Sequence, residues 1–378
     1  MHHDMNDVAS LRPDLSCPRC SAALEQQGQA WRCASCRRDW PGRGGVPRLT
    51  QTPIYWGEVP QAEMRECLEI GRSDGWEIAV ARVAKKHGEA LGAYLTDPRR
   101  INWYYACPGS PRDVLDLGAG WGTISANLSP LVRKVVALEG VAERVDFVAL
   151  RCQQDGLENV FPVEADFTAP PFPPRSFDLI VSNGVLEWVG LQNDSDDPRE
   201  LQKQFLSRLL DLLVPGGWLY VGVENRLAYS NFLGAMDHSG LPFTALMPRV
   251  MADGATRLAR RIGYGRDYRT QMGQSGYRTY TYTRRGFKKL MQESGFGRVV
   301  TYAALLSYND PRYLVPVAAT GANAVWGRFL DRWAQPRSLK QRVALAGARA
   351  GVHAKMARLV EAVVPAFCIF AQRPDEPT

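Results

Sequence analysis

Residues 112–128 read RDVLDLGAGWGTISANL. Val114, Leu115, Asp116 and Leu117 form a short apolar strand. Gly118, Ala119, Gly120, Trp121 and Gly122 follow, and TISANL opens a helix. A strand, a glycine turn and a helix in this order make the first unit of a doubly wound sheet. Glycines at the turn let the backbone approach a ligand closely. A nicotinamide-binding turn wants G-x-G-x-x-G, whereas this one is G-x-G-x-G with an Asp two residues before the first Gly.

The downstream chain extends the pattern. KVVALEG gives a second strand, Val135 to Leu138, ending in Glu139. ENVFPVEADF gives a third, followed by Asp166 and Phe167. SFDLIVSNGVLEWV gives a fourth, Leu179 to Ser182, then a loop through Asn183 and Gly184. DPRELQKQFLSRLLDLLVPGG places Leu201, Phe205, Leu209 and Leu212 on one helical face, and Pro215-Gly216-Gly217 ends it. WLYVGVEN is a fifth strand.

This succession resembles the class I S-adenosylmethionine-dependent methyltransferases over about residues 110–224, and again at TRRGFKKLMQESGF. The resemblance implies an α/β, Rossmann-like fold with a mostly parallel seven-stranded sheet. It implies that Asp116, Gly118, Ala119 and Gly120 line the methionine and ribose side of the cofactor, and that Glu139 holds the ribose. Asp166 would take the adenine amino group, with Phe167 beside the ring. Asn183 and Gly184 would lie where cofactor meets acceptor. Taken singly, Asp166 serves equally as a helix cap and the glycines as plain turns; the joint order at successive strand ends carries the assignment. The sulfonium methyl is already activated, so the protein's task is mostly positioning. A hydroxyl acceptor also needs a base.

Near the start stands CPRCSAALEQQGQAWRCASC, holding Cys17, Cys20, Cys33 and Cys36 of the chain's eight cysteines. Two Cys-x2-Cys knuckles supply four thiolates, the tetrahedral set that suits a structural Zn2+. All four ligands come from protein, so no position is left for substrate. With the RRDWPGRGGVPRL that follows, residues 15–50 resemble the small zinc-binding activator subunit of tRNA, rRNA and release-factor methyltransferases. The opening MHHDMNDVAS has no apolar signal region, and no run of about 18 apolar residues occurs, so a cytoplasmic protein with reduced thiols is expected.

At 378 residues the chain exceeds one compact core. The expected organisation is a zinc ribbon over 1–50, a helical lid over 51–108 and a cofactor-binding core over 109–224. A substrate-shaping insertion over 225–283 follows, then a late helix and sixth strand over 284–308. A helical insertion over 309–364 and a last strand with tail over 365–378 complete it. In the lid, Met64, Cys67, Leu68, Trp76, Ala79, Val80 and Val83 read as two helices covering the cofactor side. Trp103, Tyr104 and Tyr105 either close over a ligand or pack lid on core.

The first insertion exceeds ordinary connections and so reads as functional. Asp237 and His238 within it are the candidates for a general base, His because it titrates near neutrality. Arg249, Arg257, Arg260, Arg261, Arg266, Arg269 and Arg278 alternate with Tyr264, Tyr268, Tyr277, Tyr280 and Tyr282, a mixture suited to phosphate plus a ring. The stretch SLKQRVALAGARAGVHAKMARLVEAVV in the second insertion either lies on an anionic membrane or packs on its own domain. The run from SNGVLEWVG to the late helix resembles a bacterial subgroup associated with glycoconjugate biosynthesis.

The net charge of +7 favours an anionic partner. The leading expectation is O-methylation of a small or glycan acceptor carrying phosphate. The alternative is a tRNA or rRNA methyltransferase that binds RNA through the ribbon and the basic insertions. SNGVLEW stands where amino-directed nucleic-acid methyltransferases carry an NPPY-type motif, which disfavours the alternative. A scaffold that has lost turnover is disfavoured by the presence of Asp116, Glu139 and Asp166.

Overall fold

Short apolar runs that alternate with amphipathic helices cannot pair as hairpins, so successive strands lie parallel with helices on both faces. The computed structural model describes residues 11–191, 195–264, 276–317, 322–332 and 339–375. The N-terminal unit holds β1 (Leu24–Gln27), β2 (Ala30–Cys33), β3 (Asp39–Trp40), β4 (Gly42–Arg43) and β5 (Val46–Pro47). Three helices follow: α1 (Gln61–Asp74), α2 (Trp76–His87) and α3 (Glu89–Thr96), then a 3-10 segment, Pro98–Ala106. The core runs β6 (Asp113–Leu117), α4 (Thr123–Leu128), β7 (Lys134–Glu139), α5 (Ala142–Asp155), β8 (Val160–Glu164), β9 (Phe177–Asn183), α6 (Pro198–Leu212) and β10 (Leu213–Glu224). Beyond it come α7 (Tyr229–Phe232), α8 (Arg249–Arg261), α9 (Arg284–Glu293), β11 (Val299–Ala304), β12 (Leu314–Pro316), α10 (Ala322–Arg332), α11 (Leu339–His353), α12 (Ala357–Ala362) and β13 (Ala366–Gln372).

The main sheet has the order β12-β11-β13-β10-β9-β6-β7-β8. Strands β10, β9, β6, β7 and β8 are mutually parallel, whereas β13, β11 and β12 pair antiparallel along the other edge. Seven strands were expected. The eighth, β12, comes from the start of the second insertion and covers the otherwise unpaired edge of β11, which a bare sheet would leave exposed. Helix α6 ends at Leu212 as the sequence implies, but Pro215–Gly217 belong to β10, where the register against β9 shifts between Leu213 and Trp218.

The four-cysteine unit is packed onto the core. Leu15, Cys17, Trp31, Cys33, Trp40 and Leu49 share one buried cluster with Val163 and Phe172. Leu49 N–H donates to Glu164 O at 2.7 Å and Ser16 N–H to Pro171 O at 2.9 Å. Arg48 forms a single parallel bridge to Glu164, the last residue of β8. Its guanidinium pairs with Glu164 at 2.6 Å and with Asp146 on α5.

The two expected lid helices are α1 and α2. Their buried Met64, Cys67, Leu68, Ala79, Val80 and Val83 pack on Phe147 of α5 and on Trp121 of the glycine turn. Trp103 is fully buried and stacks on Tyr220 of β10, centroids 3.9 Å apart, so it is core packing and not a closing lid. The helical stretch after residue 338 divides into α11 and α12. Val352, Ala357 and Val360 bury it in the same cluster as Trp326 and Phe367.

Candidate active site

The carboxyl ends of parallel strands converge on one side of the sheet, where loops leave room for a ligand. Gly118 stands at the end of β6 with φ +74°, and a Cβ there would meet Val185 Cγ2 at 2.8 Å. Only glycine fits this corner.

Two buried carboxylates flank the turn. Asp116 accepts from Ser125 Oγ at 2.6 Å, and burial pushes its pKa up to about 6. Glu139, at the end of β7, accepts from the N–H groups of Gly120 and Val141, each at 2.9 Å, and burial raises its pKa despite the nearby Arg144. Buried carboxylates with few donors favour a ligand that brings hydroxyl or ammonium protons. The residues therefore fit a cofactor with a ribose and an amino-acid moiety. Asp166 is exposed beyond β8 and accepts from Thr168 N–H and Oγ at 2.8 and 2.7 Å; Phe167 beside it is half-buried, edge-on to Phe205. At the end of β9, Asn183 donates to Asn309 at 3.0 Å and accepts from the Tyr220 hydroxyl at 3.3 Å. Ala119 completes the turn, its N–H bound to Leu138 O at 2.9 Å.

Residues outside the expected set complete this side. Glu58 pairs with Arg144 and accepts from Trp121 Nε1 at 2.9 Å, drawing residues 56–58 over the glycine turn. Trp56 lies against Trp188, and Trp188 against His238, at centroid distances of 5.3 and 4.5 Å.

His238 is held between two carboxylates, one at the end of a strand and one in a loop. Its Nε2 lies 3.2 Å from Glu224 Oε2, at the end of β10, and 3.7 Å from Glu187 Oε1, in the loop after β9. Glu187 is fully buried, and neither of its oxygens has a hydrogen-bond partner. Burial, reinforced by the Glu224 charge, pushes Glu187 up to about 8. Burial alone would lower His238, but the Glu224 and Glu187 carboxylates outweigh it and raise the imidazole to about 9. The Glu187, Glu224 and His238 donor atoms lie within 4.8 Å of one another, a set that can hold a cation or share a proton. Asp237 accepts from Tyr277 hydroxyl at 3.1 Å and Ser239 N–H at 2.8 Å. A cavity of about 620 Å³ opens here, lined by Glu224, Asn225, Asp237, His238, Tyr277 and Ser307.

Glu187 was missed because a lone acid in VLEW carries no spacing signal; its apolar flanks were the only hint of burial. Glu224 closes an apolar strand as Glu139 does, and that parallel was legible.

Part of the arginine–tyrosine mixture turns inward. Arg249 donates to Thr281 O and lies over the ring of Tyr280 at 4.0 Å. Arg278 is buried, donating to Gly190 O at 2.7 Å and Asp196 O at 2.5 Å. Arg278 braces the insertion from inside, while Arg249 is half-buried beside the tyrosine rings. Arg266, Arg269 and Tyr268 lie outside the described residues.

In the four-cysteine unit, Cys17 Sγ is 3.8 Å from Cys36 Sγ, and Cys20 Sγ is 3.4 Å from Cys33 Sγ. All four sulfurs lie within 4.8 Å. Tetrahedral Zn–S bonds of about 2.3 Å separate sulfurs by about 3.8 Å, so the set fits zinc.

A doubly wound sheet with an antiparallel edge, a glycine turn after its first strand and acids at the next strand ends define the Rossmann-like methyltransferase fold. The family model described as a methyltransferase domain matches residues 115–221, so the chain contains such a domain. The ubiquinone biosynthesis O-methyltransferase of Albidiferax ferrireducens is 25% identical over 141 residues, 37% of this chain and 52% of that protein. The chain thus spans about half the length of this curated relative. Phosphoethanolamine N-methyltransferase 2 of Haemonchus contortus aligns over 83% of this chain and 60% of its own, at 13% identity and TM-score 0.40. The complex of the Haloferax volcanii Trm112 methyltransferase activator with a methyltransferase aligns over 81% and 97%, at 12% identity and TM-score 0.40.

Proposed function

We propose that this chain is an S-adenosylmethionine-dependent methyltransferase that methylates a hydroxyl of a small or glycan acceptor carrying phosphate. The observation that carries the reading is the adjacency of two sites. Asp116 and Glu139 flank the glycine turn, and the His238–Glu224 pair lines a cavity just beyond the end of β10, with Glu187 from the loop after β9 beside it. When bound, the cofactor supplies a methyl group activated by a sulfonium.

The chain's own residues do the rest. Asp116 and Glu139 hold the cofactor's polar groups, with Asp166 and Phe167 at its far end. Gly184 keeps the passage to the acceptor narrow: a Cβ there would meet the Tyr308 hydroxyl at 2.8 Å. Asp237 fixes the turn that carries His238. His238 takes the acceptor's proton in the fraction of molecules whose imidazole is neutral, and that fraction grows as pH approaches 9. The four thiolates hold a structural Zn2+ that fastens the N-terminal unit. The cavity of about 620 Å³ beside His238 is of the size that takes a small acceptor.

The test is calorimetry with fresh S-adenosylmethionine, followed by labelled-methyl transfer into fractionated extracts. Binding and transfer are expected. His238→Ala should leave cofactor affinity intact and lower turnover about 100-fold. Absence of cofactor binding removes the reading; unchanged turnover in the variant removes His238 as base.

A further inference from the structure

Helix α8, RVMADGATRLARR, is folded with its polarity reversed. Its buried residues are the small Ala252 and Thr256. Its large apolar side chains face out: Val250 is 86% exposed, Met251 61%, Leu258 62% and Ile262, just past its end, 75%. At 100° per residue, positions 250, 251, 258 and 262 fall on one face, opposite 252 and 256. A helix of a globular domain places such a stripe inward. Here the inward face is already closed by Ala252, Thr256 and the Arg249–Tyr280 stack, so rotating the helix would bury nothing better.

The apolar surface does not stop at α8. Phe232, Met236 and Phe243 of the same insertion are 54%, 65% and 46% exposed, and Leu306 is 47% exposed. Met236 and Leu306 line the acceptor cavity, as does Ala245 of the turn on which α8 packs. Exposed apolar side chains thus stand both on α8 and among the residues lining the cavity. Arg257 and Arg261, both exposed, lie beside Val250 at one edge of the α8 stripe, Arg257 paired with Asp253 at 2.7 Å, and with Arg260 they outnumber the helix's one acid.

We propose that this face docks on an anionic lipid surface, with the acceptor cavity opening toward it. Apolar side chains flanked by arginine are what the boundary between headgroups and acyl chains takes up. A second copy of the chain would bring the same arginines against each other. A nucleic acid would meet aliphatic side chains where it stacks on aromatic ones. The face lies in the first insertion, not in the helical stretch after residue 338, which is anchored by its own core contacts.

The experiment is flotation of the full chain with vesicles of phosphatidylglycerol and phosphatidylcholine, against phosphatidylcholine alone. Binding is expected to the anionic vesicles and to weaken in high salt. The double variant Met251→Glu, Leu258→Glu should bind roughly tenfold less while keeping its zinc and its affinity for S-adenosylmethionine. No preference for anionic vesicles, or equal binding by the variant, overturns the proposal. So does self-association, seen by sedimentation, that the variant abolishes without vesicle binding ever having been present. The methyl-transfer reading is tested separately, and either can fail alone.

Discussion

Arg48 joins three parts of the molecule, and its removal measures how firmly the N-terminal unit is held. Its side chain is 12% exposed and meets Glu164 at 9% and Asp146 at 16%. It also donates to Ala142 O at 3.4 Å. Arg48→Ala takes the ion-pair partner from largely buried Glu164 and leaves Asp146 only the exposed Arg43. Losing one partner of a fully buried pair costs about 3–5 kcal/mol, and an exposed pair almost nothing. Partial burial places this loss near 2–3 kcal/mol. At about 2–4 °C per kcal/mol for a large domain, the melting temperature should fall by about 5 °C or more. Arg43→Ala is the control: Arg43 meets the same Asp146 at 3.3 Å but is 70% exposed, and its loss should be barely measurable. The assay is thermal unfolding at neutral pH, with limited proteolysis of the first 50 residues as a second readout. If Arg48→Ala behaves like Arg43→Ala, the ion cluster does not fasten the unit, and the apolar contacts of Leu15, Trp31 and Leu49 alone do so.

Metal analysis of intact protein should find one zinc per chain, and Cys33→Ala should lose it and unfold at a lower temperature; zinc retained in that variant would remove the four-thiolate site. Glu139→Ala should weaken S-adenosylmethionine binding about tenfold or more by calorimetry, since it removes two acceptor oxygens from the crevice. Stability should fall as pH rises toward 9. His238, raised to about 9, contributes stability below its unfolded value of about 6.5 that is lost through pH 9, and Glu187, raised to about 8, contributes stability below its unfolded value of about 4.5 that is lost as pH rises to about 8. Glu187→Gln should flatten the decline in melting temperature between about pH 5 and 8, and an unchanged slope there would show that Glu187 is not held protonated by the fold.

The sequence by itself determined the parallel part of the sheet, though not the edge strand β12. Local apolar runs, the glycine turn at 118–122 and the helical periodicity of 201–212 are short-range signals, and a parallel strand has few alternatives once its neighbours are helices. It also determined the four-thiolate set, because knuckle geometry is local. Asp116 and Glu139 were legible as acids at strand ends. Only tertiary structure decided the rest. Glu187, Glu224 and His238 come from a loop, a strand end and the insertion, and nothing local announces that they meet, so their shifted ionisation is a property of the assembled cavity. Arg278 read as one of the cations for a phosphate and proved buried, with Arg249 half-buried, because packing against tyrosine rings and loop carbonyls is invisible to composition. The outward stripe of α8 has the periodicity of any amphipathic helix: the sequence fixes which residues share a face, and only packing decides which way that face turns.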